Sequence, residues 1–285
     1  MITGGFRDIE ACAVQFAPEW LEPGKNAASM ALEIERAVEE KNAQLIVFPE
    51  LSSAGYILKE RDRDFGREYY KAAEPVPGPL TLELAKQAER YGVYVVVGLS
   101  ERHPAIPGFL YNSAALLGPS GDILGVHRKI HIPGYERFYF CPGHEINVFK
   151  TDIGILGMTI CYDNQFPELT RIMSLRGMEI LCMLWNMPDF SNKPEHLHHI
   201  TAVRALENRL YAISCNRPEK ADKDITFIGA SCISDPVGTL IAKAEREPGI
   251  ISAKLSSKQF TEDRFFQPIF RDRRPELYGE LIEPV

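Results

Sequence analysis

The sequence has no Cys-x-x-Cys pair, no run of lysine or arginine, and no long apolar stretch. Each absence excludes a class of function. The six cysteines stand alone at positions 12, 141, 161, 182, 215 and 232. That scatter argues against a zinc site or a disulfide framework and points to a reducing, cytoplasmic setting. The 39 acidic and 32 basic residues are interspersed and leave a net charge of −7. A nucleic-acid backbone or an anionic membrane calls for concentrated positive charge, so neither is expected as a partner. The longest apolar stretches, at 93–98 and 180–185, fall far short of the roughly 20 residues of a membrane helix. Residues 1–8 show no basic segment leading into an apolar one, so no secretory signal is expected. No Pro/Gly/Ser-rich linker divides the 285 residues, and one domain over 1–285 is expected.

What is present is an alternation of short apolar runs with longer amphipathic ones. Residues 10–16, 44–48, 93–98, 154–161, 179–185 and 211–215 read as strands, several of them apolar throughout. Residues 26–41, 79–91, 168–176 and 195–209 carry helical periodicity; in the first, Met30, Ile34, Ala37 and Val38 share one face. Runs at 112–117 and 123–128 flank Ser120-Gly121-Asp122, and 227–234 and 239–243 flank Asp235-Pro236-Val237-Gly238, so each pair reads as a hairpin. A last strand is expected at 249–254. Strands buried on both faces and joined by helices imply a layered α/β fold. The stretch 260–285 is polar but holds Phe260, Phe265, Phe266, Phe270 and Tyr278. It is expected to be a tail, either solvated or packed on a partner subunit.

Three segments hold residue types suited to catalysis. Glu50 follows the buried run Leu45-Ile-Val-Phe-Pro49, where the carboxyl end of a strand opens on the ligand crevice. Lys129 leaves a strand among apolar neighbours, with Glu136 close enough in sequence to pair with it, and a lysine in a cleft can donate to developing negative charge. Cys161 stands where an apolar strand stops and a helix is about to begin, the setting of a nucleophile elbow. A helix N-terminus or a nearby cation lowers a thiol pKa from about 8.5. The other five cysteines lie inside apolar runs or beside a proline, where an inert role is expected.

In order, these segments resemble the nitrilase superfamily of carbon–nitrogen hydrolases. Phe48-Pro49-Glu50 with Gly55-Tyr56 is similar to its first motif, and Arg128-Lys129-Ile130-His131-Ile132-Pro133 to its lysine motif. The stretch Glu136–Gly143 is similar to the segment carrying a second glutamate, and Ile160-Cys161-Tyr162-Asp163 with Phe166-Pro167-Glu168 to the cysteine motif. Arg204-Ala-Leu-Glu207-Asn208 resembles the structural helix that follows, and Asp272–Tyr278 the tail of carbamoylase-like members. The resemblance implies a four-layer αββα sandwich, pairing of subunits into at least a homodimer, and a Glu–Lys–Cys centre with neither metal nor organic cofactor. By it Cys161 is the nucleophile, Glu50 the general base, Lys129 with the backbone N–H of Tyr162 the oxyanion partner, and Glu136 the residue that orients Lys129 and substrate.

The family hydrolyses linear amides, N-carbamoyl (ureido) compounds or nitriles. Strict nitrilases follow the cysteine with Trp-Glu, whereas Tyr162-Asp163 stands here, which favours a small amide or ureido substrate. Carbamoylases of amino-acid derivatives often have arginines just after the cysteine, whereas Asn164-Gln165 stands here; a neutral or cationic substrate is therefore expected. Tyr56, Tyr162, Trp185 and Asn186 are expected to line the pocket. His196, His198 and His199 lack an evident carboxylate or cysteine partner, so pocket lining or exposure is expected of them rather than metal binding. An acyltransferase and a catalytically silent member are the rival classes.

Overall fold

The continuously apolar strands in the first half of the chain have a physical origin: their sheet is covered on both faces. The computed structural model describes residues 6–56, 62–189, 193–218 and 226–283. The first sheet holds β1 (Ile9–Gln15), β2 (Leu45–Val47), β3 (Tyr94–Arg102), β4 (Leu110–Leu117), β5 (Ile123–Arg128) and β12 (Gly249–Leu255), in the order β12-β1-β2-β3-β4-β5. Cys12, Val14, Ile46, Phe48, Val95 and Val97 pack outward on α1 (Pro23–Lys41) and α3 (Pro79–Tyr91). The alternate residues Ala11, Ala13, Leu45, Val47 and Val96 pack inward on the second sheet.

That second sheet holds β6 (Val148–Thr151), β7 (Gly154–Ile160), β8 (Ile180–Leu184), β9 (Tyr211–Cys215), β10 (Cys232–Ser234) and β11 (Leu240–Lys243), in the order β11-β10-β9-β8-β7-β6. Its outer face is covered by α4 (Pro167–Leu175) and α5 (Glu195–Asn208), through Leu169, Met173, Leu197 and Ala205. The result is the αββα sandwich expected. Between the sheets, the Cys215 thiol at the end of β9 donates to the carbonyls of Val14 (3.1 Å) and Val47 (3.0 Å).

Local chemistry sets the helix ends. Both α1 and α3 begin at a proline, whose missing N–H costs nothing in the first turn, and end at left-handed Asn42 and Gly92. In α1, Met30, Ile34 and Ala37 are buried at helical spacing. No helix among the described residues is long and apolar enough to cross a membrane.

Sheet direction determines where chemistry collects. Strands β1, β2 and β3 are mutually parallel, as are β7, β8 and β9. Because β4 is antiparallel to both β3 and β5, the carboxyl end of β5 lies at the same edge as that of β2, with the start of β4 between them.

Several elements differ from the sequence reading. Helix α2 (Arg63–Ala72) went unread: it is mostly polar and buries only Tyr69 fully; its start is marked by Asp62, whose carboxylate caps Asp64 N and Phe65 N. Edge strand β6 also went unread. The hairpin strand expected at 227–234 is short: β10 starts at Cys232, and Phe227 makes a single bridge to Pro188. The stretch expected to be a tail from residue 260 begins inside α6 (Ser257–Phe266), where Phe260 is buried against Phe6.

One glycine controls the approach of the first catalytic strand. A Cβ on Gly98 would lie 2.3 Å from the Pro49 carbonyl oxygen and 2.7 Å from the Glu50 Cα. Both are backbone atoms and cannot swing aside. Gly98→Ala is expected to destabilise the fold by about 1–3 kcal/mol and to displace Glu50. Thermal unfolding checks this, and a variant with an unchanged Tm would contradict it.

Candidate active site

Glu50 lies just past β2 and is followed by Leu51 in the left-handed region (φ 49°); Cys161 lies just past β7 and is itself left-handed (φ 46°). Non-glycine residues hold this conformation at a cost of roughly 1–3 kcal/mol and persist where the surroundings over-determine them. The turn at Cys161 departs from expectation. It is a 3-10 segment, Cys161–Gln165, and α4 begins only at Pro167, so no α-helix N-terminus abuts the thiol.

At the shared edge, Glu50, Lys129 and Glu136 are buried together. The Lys129 ammonium donates to Glu50 Oε1 at 2.8 Å and to both oxygens of Glu136 at 3.1 and 2.9 Å. An ammonium has three N–H donors. One serves Glu50 and one forks to Glu136, so the third is free for a substrate oxygen. Tyr56 donates its hydroxyl to Glu136 Oε1 at 2.7 Å. Asn112, at the start of β4, donates to Glu50 Oε1 at 2.7 Å and accepts the Lys129 backbone N–H through its carbonyl at 2.8 Å. Glu50 Oε2 has no hydrogen-bond partner among the described residues, which leaves it open to a proton.

Electrostatics follow from the burial. Burial pushes the Glu50 carboxyl up; Lys129 opposes this and Glu136 reinforces it, with a net rise. Burial works against the Lys129 charge, but Glu50 and Glu136 more than offset it and leave the ammonium held above its ordinary range. Burial also pushes the Cys161 thiol well up, with Glu50 adding to the rise and Lys129 opposing it. Burial and the Glu50 charge both favour the protonated thiol over the thiolate.

A further buried carboxylate ties the two sheets together. Asp163, two residues after Cys161, accepts from the backbone N–H of Ile130 (3.2 Å) and His131 (3.0 Å), directly after Lys129. Its other oxygen accepts from Ile160 N (3.2 Å) and is bonded to His127 Nε2 (3.1 Å). The next residue, Asn164, accepts from Thr159 Oγ1 at 2.6 Å and donates to the Cys161 carbonyl at 3.1 Å. Arg204 of α5 donates to the Asn164 carbonyl at 2.8 Å.

Cys161 and Glu136 open into a cavity of about 580 Å³. Its walls include Tyr56, Trp185, Met187, Pro188 and Ile228, and its lining also includes Tyr162, Gln165, Lys193 and His196. Of the residues expected to bind substrate, Tyr56, Tyr162 and Trp185 thus face the cavity. Asn186 does not line it; its side chain donates to the Glu50 carbonyl at 2.6 Å and so joins the ends of β8 and β2. His196 lines the cavity, His198 is half-buried, and His199 is exposed.

The sequence reading missed Asn112 and Asp163. Asn112 had a signal: a lone amide in the strand Leu110–Leu117, otherwise apolar apart from Ser113 and Tyr111. Asp163 stood in the quoted cysteine motif, but its role had no local signal, because His127, Ile130 and His131 reach it from a distant stretch of chain.

Two sandwiched sheets, with a lysine held between two glutamates beside a strand-end thiol, define a nitrilase-type protein. The chain belongs to the carbon-nitrogen hydrolase family, whose model matches residues 10–265. It is 34% identical over 274 residues to a citrullinase of Francisella tularensis, covering 90% of this chain and 93% of that protein. It is 33% identical to a nitrilase of Pyrococcus abyssi, covering 95% and 99% of the two chains. A crystal structure of a carbon-nitrogen hydrolase from Helicobacter pylori G27 superposes with a TM-score of 0.87 at 29% identity, over 98% and 99% of the chains.

The Asp163 network has a pH signature. Burial raises its carboxyl, but the His127 and His131 hydrogen bonds more than offset this and hold it well below the usual carboxylate range. A depressed folded pKa contributes stability that is complete above the unfolded value, about 4, and is lost as pH falls below it. Asp163→Asn is expected to cost about 2–4 kcal/mol at pH 7. The Tm gap to the unsubstituted protein should narrow below about pH 4; a gap constant down to pH 2 would contradict the charge-based account.

Proposed function

We propose that the protein hydrolyses a carbon–nitrogen bond in a small linear amide or N-carbamoyl compound through a covalent Cys161 thioester. The observation that carries this is the Lys129 ammonium, fully buried and fixed by Glu50 and Glu136 with one N–H to spare, behind a cavity lined by Glu136 and the Cys161 thiol.

Glu50 takes the thiol proton as sulfur attacks the carbonyl carbon, and the π electrons move onto oxygen. The third Lys129 N–H stabilises that oxyanion together with the backbone N–H of Tyr162, which, as the second residue of its 3-10 turn, has no partner within the turn. Loss of one such donor costs about 10²–10³ in rate. Glu50 then returns the proton to nitrogen, the C–N bond breaks, and ammonia leaves a thioester. Water gives a proton to Glu50 and attacks the thioester; collapse expels sulfur, which regains its proton from Glu50. The sum is amide plus water giving acid plus ammonia. An N-carbamoyl substrate follows the same course to a carbamate, which loses carbon dioxide.

The citrullinase relative supports a ureido substrate, because citrulline carries a terminal N-carbamoyl group. The nitrilase relative keeps small nitriles as the alternative. A reducing cytoplasm fits six cysteines that are all free. A homodimer or larger assembly fits the tail, where Phe265, Phe266 and Ile282 are exposed at 65%, 76% and 85%; a monomer by light scattering would contradict it.

Ammonia release from a panel of amides, ureides and nitriles tests the reading. Cys161→Ala is expected to abolish release, and Glu50→Gln to lower it by about 10²–10⁴. The acid limb of kcat/KM should lie above the ordinary glutamate range, because Glu50 must be ionised to act and its pKa is raised. Release undiminished in Cys161→Ala would overturn the mechanism.

A further inference from the structure

The cavity is electrically one-sided at its open end. Its only carboxylate among the described residues is Glu136, and both Glu136 oxygens are taken by Lys129 and one also by Tyr56. Its cationic and proton-bearing groups are exposed: Lys193, just ahead of α5, and His196, in the first turn of that helix. Lys193 makes no ion pair among the described residues. Glu195, between them in sequence, is exposed and does not line the cavity. The same cavity is lined by half-buried Cys161, by buried Glu136 and by the apolar walls Trp185, Met187, Pro188 and Ile228. Apolar walls take a methylene chain, and an unpaired ammonium at the mouth takes an anion.

We propose that Lys193 is a specificity-determining residue that binds a carboxylate on the substrate, at the end remote from the scissile amide or ureide. This rests on the hydrolase reading and narrows its substrate to an amide or ureido compound with a distal carboxylate. It reverses the expectation drawn from Asn164-Gln165. Asn164 is buried and spends its side chain on Thr159 and the Cys161 carbonyl, so it says nothing about the substrate's charge. The cation comes instead from a segment thirty residues further on, which the fold brings to the cavity.

The attraction acts at a solvent-exposed rim, where an ion pair is worth up to about fivefold in affinity and weakens with salt. A matched series separates charge from reactivity: glutaramate, glutaramide and 5-aminopentanamide present the same primary amide with an anionic, neutral or cationic far end. Citrulline and N-carbamoylputrescine repeat the comparison for ureides, since the second is the first without its carboxylate. Wild-type kcat/KM is expected to be greatest for the carboxylate-bearing member of each set, anionic glutaramate and zwitterionic citrulline, and the preference to shrink between low salt and ~0.5 M salt. Lys193→Met should cut the glutaramate-to-glutaramide ratio by about fivefold, and Lys193→Glu should turn the preference toward 5-aminopentanamide. Lys86→Met on α3, far from the cavity in the fold, should leave the ratio as it was.

Turnover without charge preference, or a ratio unchanged in Lys193→Met, would overturn the carboxylate inference and leave the hydrolase reading standing. Absence of turnover for all five compounds, with no ammonia from any other amide, ureide or nitrile, would overturn both.

Discussion

Everything at the site depends on one buried ammonium. Lys129 is fully enclosed, and an unpaired charge in that position would cost several kcal/mol. Glu50 and Glu136 make its burial tolerable, and they can do so only from fixed positions within hydrogen-bond reach. Two carboxylates around one ammonium leave the cluster with an excess of negative charge. Burial raises both the Glu50 carboxyl and the Cys161 thiol, and the uncompensated carboxylate charge adds to each rise while Lys129 opposes it. The arrangement that makes the lysine permissible thus also sets the proton affinities of its two neighbours.

Holding such a cluster requires rigid support from both sheets. Glu50 and Lys129 belong to the first sheet, Cys161 to the second. Asp163 spans the gap by bonding the backbone on either side of the reactive residues, and Asn186 bonds the Glu50 carbonyl from the end of β8. Left-handed backbone at Leu51 and Cys161 turns the chain sharply at both strand ends. The close approach of Gly98 to residues 49 and 50 leaves no room for a side chain. Strain at the site is sustained by a well-packed scaffold around it.

Much of this was legible in the sequence. The apolar strands and the faces of α1, α3, α4 and α5 follow from periodicity, because burial on one or both sides dictates which positions can be polar. Glu50, Lys129 and Cys161 were visible as polar groups at the ends of apolar runs. Weakly buried elements were not: α2 hides one side chain, β6 lies at a sheet edge, and α6 mixes buried Phe260 with exposed Phe265 and Phe266.

The sequence by itself determined the layered α/β class, the order of the segments and the candidacy of Glu50, Lys129 and Cys161, since each depends on local pattern. Only tertiary structure decided their company. Asn112 beside Glu50, Asp163 across the sheets, Asn186 turned to the Glu50 backbone and Lys193 on the cavity wall are contacts between distant segments. Hydrogen bonds and charges act over a few ångströms of space, and the chain's separation along its length places no limit on which groups meet there.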